Sequence, residues 1–171
     1  MDGLTARRLG IPVPLNRAAV ESAQMASLRR TIVHAVEKSP WHGQRLAGID
    51  PGLLRTRTDL ARLPLMDSAD VAACGPRMLC VPQGEVARIV TLQTSGSTGT
   101  PKRLHFTRAD LDGTVDFFLH GMLSLVDSSD SVLALLPYSQ PDSTGDLLIR
   151  ALAGEGIRCT GQWPPGEAGT L

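Results

Sequence analysis

Residues 94–102 read Thr94-Ser95-Gly96-Ser97-Thr98-Gly99-Thr100-Pro101-Lys102, and no other stretch restricts the fold of this chain as tightly. A run this rich in glycine and hydroxyl side chains, closed by Pro-Lys, belongs to a connection and not to the interior of an element. Before it, Ile89-Val90-Thr91-Leu92 has the apolar, β-branched character of a buried strand. After it, Arg103-Leu104-His105-Phe106-Thr107 alternates in the manner of a second strand. The fold must therefore hold two strands joined by this loop. Such a loop can turn backbone N–H groups, hydroxyls and one ammonium toward a single anion. A polyphosphate is the guest that matches those donors.

Spacing removes three better-known alternatives. A Walker A loop needs four residues between its first glycine and a Gly-Lys pair followed by Ser or Thr. Here Gly96 and Gly99 are separated by two residues, Pro101 precedes Lys102 and Arg103 follows it. A dinucleotide fingerprint needs three glycines opening into a helix, whereas this loop has two and opens into a strand. A nucleophile elbow would need glycine where Ser95 stands, and Gly99 occupies the place of a serine three residues before Lys102, so acyl-serine chemistry is unsupported. A plain Gly/Ser/Thr linker has no need of Pro-Lys at that offset.

The segment matches, at every fixed position, the phosphate-binding signature of adenylate-forming enzymes, Ser/Thr-Ser-Gly-Ser/Thr-Thr-Gly-x-Pro-Lys. The whole chain resembles the N-terminal part of the phenylacetate–CoA ligase-like branch of that superfamily. Leu28-Arg29-Arg30-Thr31 through Ser39-Pro40-Trp41 resembles the branch's opening helix, and Asp59-Leu60-Ala61-Arg62-Leu63-Pro64-Leu65 resembles its D-L-x-x-L-P segment. That branch usually has a second aromatic after Ser-Pro-aromatic; here His42 takes the place.

The resemblance implies a two-step reaction. A carboxylate attacks the α-phosphate of ATP to give an acyl-adenylate and pyrophosphate, and a thiol such as coenzyme A then displaces AMP. Catalysis of this kind is mostly positioning and charge neutralisation. By resemblance, Thr94, Ser95, Gly96, Ser97, Thr98, Gly99 and Lys102 hold the ATP phosphates, with Mg²⁺ accompanying the nucleotide. No stretch of the chain matches the family's adenine-binding aromatic segment, its ribose-binding aspartate or its C-terminal catalytic lysine, and Lys38 and Lys102 are the only lysines. Catalytic residues are therefore not assigned, and the chain is expected to be inactive alone. It then acts as part of an acyl- or aryl-CoA ligase, or as a nucleotide-binding module or split subunit paired with a second chain or a copy of itself. A vestigial structural fragment is the third reading. Acid and thiol partners stay open.

Charge and cysteine content bound the remaining classes. Seventeen basic and seventeen acidic residues give a net charge of zero, and no arginine cluster is interleaved with aromatics, so nucleic acid is not an expected partner. With 42% hydrophobic and 20% charged residues, 171 residues suffice for a core. Cys74, Cys80 and Cys159 lack C-x-x-C spacing, which reads as reduced thiols in a cytoplasmic protein and against zinc. Met1–Pro14 has no apolar signal region, and Val115–Val126 is broken by Asp116, His120 and Gly121, too short to span a membrane.

Local patterning predicts an α/β fold: an N-terminal helical segment, then part of a mixed or parallel sheet with flanking helices, an incomplete adenylate-forming N-terminal domain. Asn16 caps a helix with Met25, Leu28, Ile32 and Val36 on one stripe, which Pro40 stops. Residues 41–66 read as turns with short helical pieces, and Asp67 caps another helix. Met78–Val81 and Val86–Leu92 read as strands around a Pro82-Gln83-Gly84 turn. Thr107 and Asp110 open a helix over 108–126 that shows Leu111, Val115, Phe118 and Met122 on one face and leaves His120 solvated. Ser131–Leu136 and Ile157–Thr160 are strands around a helix that starts at Asp142 or Ser143 and ends at Ala153, a βαβ unit with a right-handed crossover. Tyr138, Ser139 and Gln140 then sit at a strand's carboxyl end, where open α/β sheets place ligands. The predicted division is a helical segment over 1–75, an α/β portion over 76–161 and a tail over 162–171.

Overall fold

A computed structural model describes residues 2–92 and 101–164. The chain divides into two compact units, residues 2–105 and residues from Phe106 onward. The fold class is α/β, as the sequence predicts, with strands in two small sheets.

The first unit begins with α1 (Asp2–Leu9), which buries Leu4 and Ala6. No helix was expected there, because two small buried positions leave almost no periodic stripe to read. The long helix α2 (Arg17–Lys38) starts where Asn16 accepts hydrogen bonds from the Ala18 and Ala19 amides. Its apolar stripe packs partly as predicted. Met25 and Ile32 are buried with Leu54, and Leu28, Leu46 and Leu63 close around them. Val36, in contrast, is exposed, because that core ends one turn earlier.

Ser39 both ends α2 and begins α3 (Pro40–Arg45), where Pro40 takes the first helical position. So Pro40 stops one helix by starting the next. Ser39 is almost fully buried; its hydroxyl donates to the Arg77 carbonyl at 2.8 Å and accepts from the His42 amide at 3.4 Å. Ser39→Ala removes a helix cap and orphans a carbonyl, so urea unfolding should show a loss of about 1–3 kcal/mol. The His42 ring meets Trp41 edge-on at 5.0 Å, and Arg45 lies over the Trp41 ring. Burial lowers the imidazole pKa, so His42 packs there as a neutral ring. Arg45 also donates to the Leu65 carbonyl and pairs with Asp70 at 3.4 Å, which ties α3 to the segment before α4 (Ser68–Cys74). Asp67 and Asp70 form the capping box of α4.

Met78–Val81 is not a strand. Gly75–Met78 and Gln83–Glu85 are 3-10 turns instead. Pro76 and Pro82 fix φ on both sides and lack an N–H to give to a ladder. Strand β1 (Val86–Leu92) has the predicted bounds and pairs with β2 (Lys102–Thr107) in a two-stranded sheet.

In the second unit, Thr107 caps α5 (Arg108–Met122) through a capping box with Asp110. The helix stops four residues before the predicted end; Gly121 and Ser124 favour the hydrogen-bonded turn that carries Val126 back to the core. His120 is not solvated. It is half-buried, with Nδ1 2.9 Å from the Asp116 carbonyl oxygen and 3.3 Å from Asp116 Oδ1.

Strand β3 (Ser131–Ala134) lies parallel to β4 (Arg158–Gly161), from Ser131 opposite Arg158 to Ala134 opposite Gly161, with α6 (Thr144–Ala153) between them in sequence. The ladder ends at Ala134, short of Leu136, because β4 offers only four residues. One sheet face carries Val132, Ala134 and Cys159 onto Leu148, Leu152, Ile157, Phe118 and Met122. Past α6, Ile157 N–H donates to Leu152 O and Gly156 N–H to Ala153 O. That is the Schellman pattern, and Gly156 supplies its left-handed residue at φ +71°. No described helix is long and apolar enough to cross a membrane.

Candidate functional site

The loop that carries the sequence signature joins β1 to β2. Both strands belong to one sheet, so the chain leaves at Leu92 and returns at Lys102 on hydrogen-bonded neighbours. Thr94, Ser95, Gly96, Ser97, Thr98 and Gly99 lie outside the described residues. Lys102 is described: it is the first residue of β2 and is half-buried. A lysine at the first strand position has its backbone held by the ladder, while its side chain keeps the reach of a flexible stem.

The residues predicted at the carboxyl end of β3 lie on a separate loop in the second unit. Tyr138, Ser139 and Gln140 are all exposed. The Tyr138 ring lies against Gly161, where an added Cβ would collide with it, and an added Cβ at Gly145 would come within 2.8 Å of the Pro137 carbonyl oxygen. Close approach of this loop to α6 and β4 therefore needs both glycines.

Sequence reading missed the side chain that organises this loop, Asp142, expecting it only as a helix start. It adopts φ +59° and accepts from Arg108 Nη1 and Nη2 at 3.1 and 3.2 Å and from Arg150 Nη1 at 2.7 Å. Aspartate tolerates the left-handed region better than most residues. A pattern spread over Arg108, Asp142 and Arg150 has no linear signature. The Arg108 fork, then Arg150, holds the Asp142 carboxyl below the usual carboxylate range. A carboxyl lowered on folding stabilises the fold above its unfolded pKa, about 3.9, and loses that contribution as pH falls through the lower folded value. Stability should thus fall on acidification below about pH 4. Asp142→Asn should be less stable than wild type at pH 7, and the gap should narrow as pH falls toward 2–3, as thermal melts at stepped pH would show. An unchanged gap would contradict the assignment.

Cys74, Cys80 and Cys159 are free and half-buried, and burial pushes the Cys80 and Cys159 thiols up, away from thiolate chemistry. Among the described residues no three His, Cys, Asp or Glu side chains gather to hold a metal ion.

No protein-family model matches the sequence. No curated protein matches it either. The likeness is in the fold alone, to part of a solved CoA ligase. A crystal structure of 2-hydroxyisobutyryl-CoA ligase in an open conformation, in complex with 2-HIB-AMP and CoA, superposes with a TM-score of 0.67 at 20% identity over 89% of this chain. The same ligase with the same ligands in the thioesterification state gives a TM-score of 0.70 at 22% identity over 89% of this chain. The chain spans 37% and 34% of those two structures.

Proposed function

We propose that this chain supplies the ATP phosphate-binding part of an AMP-forming acid–thiol ligase, in the phenylacetate–CoA ligase-like branch. One observation carries the reading: the full signature Thr94–Lys102 falls on the connection between two paired strands, in a chain whose fold is that of part of a ligase crystallised with an acyl-AMP and CoA. In this reading Ser95, Ser97 and Thr98 donate O–H bonds to the β- and γ-phosphates of ATP. Gly96 and Gly99 let the backbone come close. Lys102 offsets the charge that grows on the leaving pyrophosphate, and Mg²⁺ enters with the nucleotide. The donor set suits a polyphosphate chemically, since it is hydroxyl-, amide- and ammonium-rich and holds no carboxylate.

What supports the branch reading is the order and spacing of its segments in the sequence, Leu28–Trp41 and then Asp59–Leu65. Leu28 belongs to α2, Trp41 to α3, and Leu63 closes the core formed by Met25, Ile32 and Leu54. The carboxylic acid is an aryl, hydroxy or fatty acid, and the acceptor thiol is coenzyme A. Taken by itself the chain binds MgATP and does not turn over. The test pairs a melting experiment with pyrophosphate exchange over a panel of carboxylic acids. A rise in melting temperature with MgATP, without exchange, is the expected result. A folded chain whose melting is indifferent to MgATP would overturn the phosphate assignment, and robust exchange would overturn the inactivity.

A further inference from the structure

Two arginines with unspent donors share a cleft that the phosphate loop does not use. It measures about 430 Å³ and is lined by Ser22, Met25 and Arg29 of α2 with Gly52 and Arg55 from the segment that follows. Ser22, Met25 and Arg29 recur at three- and four-residue steps, so one face of α2 forms a wall. Among the described residues no carboxylate lines this cleft. The Arg29 guanidinium is held in place, with Nη1 donating to the Leu54 carbonyl at 2.8 Å while Leu54 is buried in the core. Its other N–H groups have no partner among the described residues. Arg55 lines the same cleft, with one long side-chain contact from Nε to the Gly52 carbonyl at 3.5 Å. The nearest acid in sequence, Asp59, accepts from the Arg55 and Thr56 amides and from the Thr56 hydroxyl and is not turned to either guanidinium.

Arg29 and Gly52 also border a second hollow of about 410 Å³, with Val33 and Pro51 as its apolar members. Its remaining members are Arg30, His34 and Glu37, so across the two hollows three arginines stand against one carboxylate among the described residues.

We propose that this groove is a binding site for an organic phosphomonoester. The phosphate is taken by Arg29, Arg55 and the Ser22 hydroxyl, and the organic group lies along Val33 and Pro51. A tetrahedral phosphate dianion has acceptor oxygens spread in three dimensions, enough for two forks and a hydroxyl, whereas a carboxylate offers two oxygens in one plane. One fork prefixed on a buried carbonyl lowers the ordering cost of binding. The site is distinct in its residues from Thr94–Lys102, so the two assignments fail separately.

Phenyl phosphate is the probe, because it offers a monoester and a ring without a nucleotide. The full chain, ¹⁵N-labelled in 0.15 M NaCl, would be titrated while the arginine Nε–H signals are followed. Saturable shifts at Arg29 and Arg55 are expected, with phenyl phosphate binding more tightly than inorganic phosphate. Arg55→Ala should weaken binding about tenfold or more at an unchanged melting temperature, since Arg55 is exposed. Lys102→Ala should leave it intact. Non-saturating shifts, or undiminished binding in Arg55→Ala, would overturn the site. Equal affinity for the two phosphates would overturn the organic ester. Loss of binding in Lys102→Ala instead would return the ligand to the loop.

Discussion

Lys102→Ala is expected to remove most of the stabilisation that MgATP confers, with the ligand-free melting temperature left in place. A charge-assisted hydrogen bond is worth about 1.5–3 kcal/mol net, so its loss weakens binding roughly 10- to 150-fold. With MgATP at a hundred times the dissociation constant, the wild-type chain gains about 2.7 kcal/mol. A roughly 30-fold weaker site keeps only about 0.9 kcal/mol at the same concentration. For a chain of this length that is a rise of about 5–10 °C reduced to about 2–4 °C. Lys102 is half-buried at a strand end and carries none of the core, so the apo protein should melt as before. Lys102→Arg should recover part of the shift, because the charge returns while the planar fork cannot follow the ammonium's geometry. Identical MgATP shifts in wild type and Lys102→Ala would exclude the lysine from the phosphate site.

Leu152→Ala should produce the largest loss of stability, about 2–5 kcal/mol. Leu152 is 0% exposed and sits among Ala134, Leu148 and Ile157, with Phe118, Met122 and Val126 packed around them. Its carbonyl also accepts the Ile157 amide that closes α6 against β4, so the side chain lies at the joint of the βαβ unit. Truncation leaves a cavity among neighbours held by two helices and two strands, with little room to collapse. Whole domains are stable by only about 5–15 kcal/mol, so this one change spends a large share. Leu152→Met, which keeps the volume, should cost less than about 1.5 kcal/mol. Urea denaturation of the three proteins reads the difference. A loss under about 1 kcal/mol for the alanine variant would show that the βαβ core tolerates collapse.

Helix starts were legible wherever the capping chemistry is local. Asn16, Asp67 and Thr107 each accept from amides two or three residues on, a pattern the sequence writes in consecutive letters. The bounds of β1 were legible for a similar reason, since Val86–Leu92 is β-branched and apolar between turn residues. Met78–Val81 misled because an apolar run becomes a strand only where a partner exists to pair with it, and two prolines deny it one. The helix α1 was missed because so little of it is buried. Val36 and His120 were misjudged because a periodic stripe says which residues share a face, and says nothing of how far along the helix its partner extends.

The candidate sites divide in the same way. The proposed phosphate signature is contiguous in sequence, as expected of a loop that draws its donors for one anion from consecutive residues. The Arg29–Arg55 cleft and the Arg108–Asp142–Arg150 cluster are invisible to that reading. Each gathers side chains far apart in the chain, and nothing in the intervening letters states that they will meet. By itself, then, the sequence determined the elements that nearest-neighbour hydrogen bonding dictates, and it carries the motif on which the proposed phosphate loop rests. Tertiary structure alone decided which arginines converge, where each strand ladder stops and which apolar residues lie beneath the surface. Those outcomes depend on contacts between distant segments, and chain closure brings such segments together without any local signature.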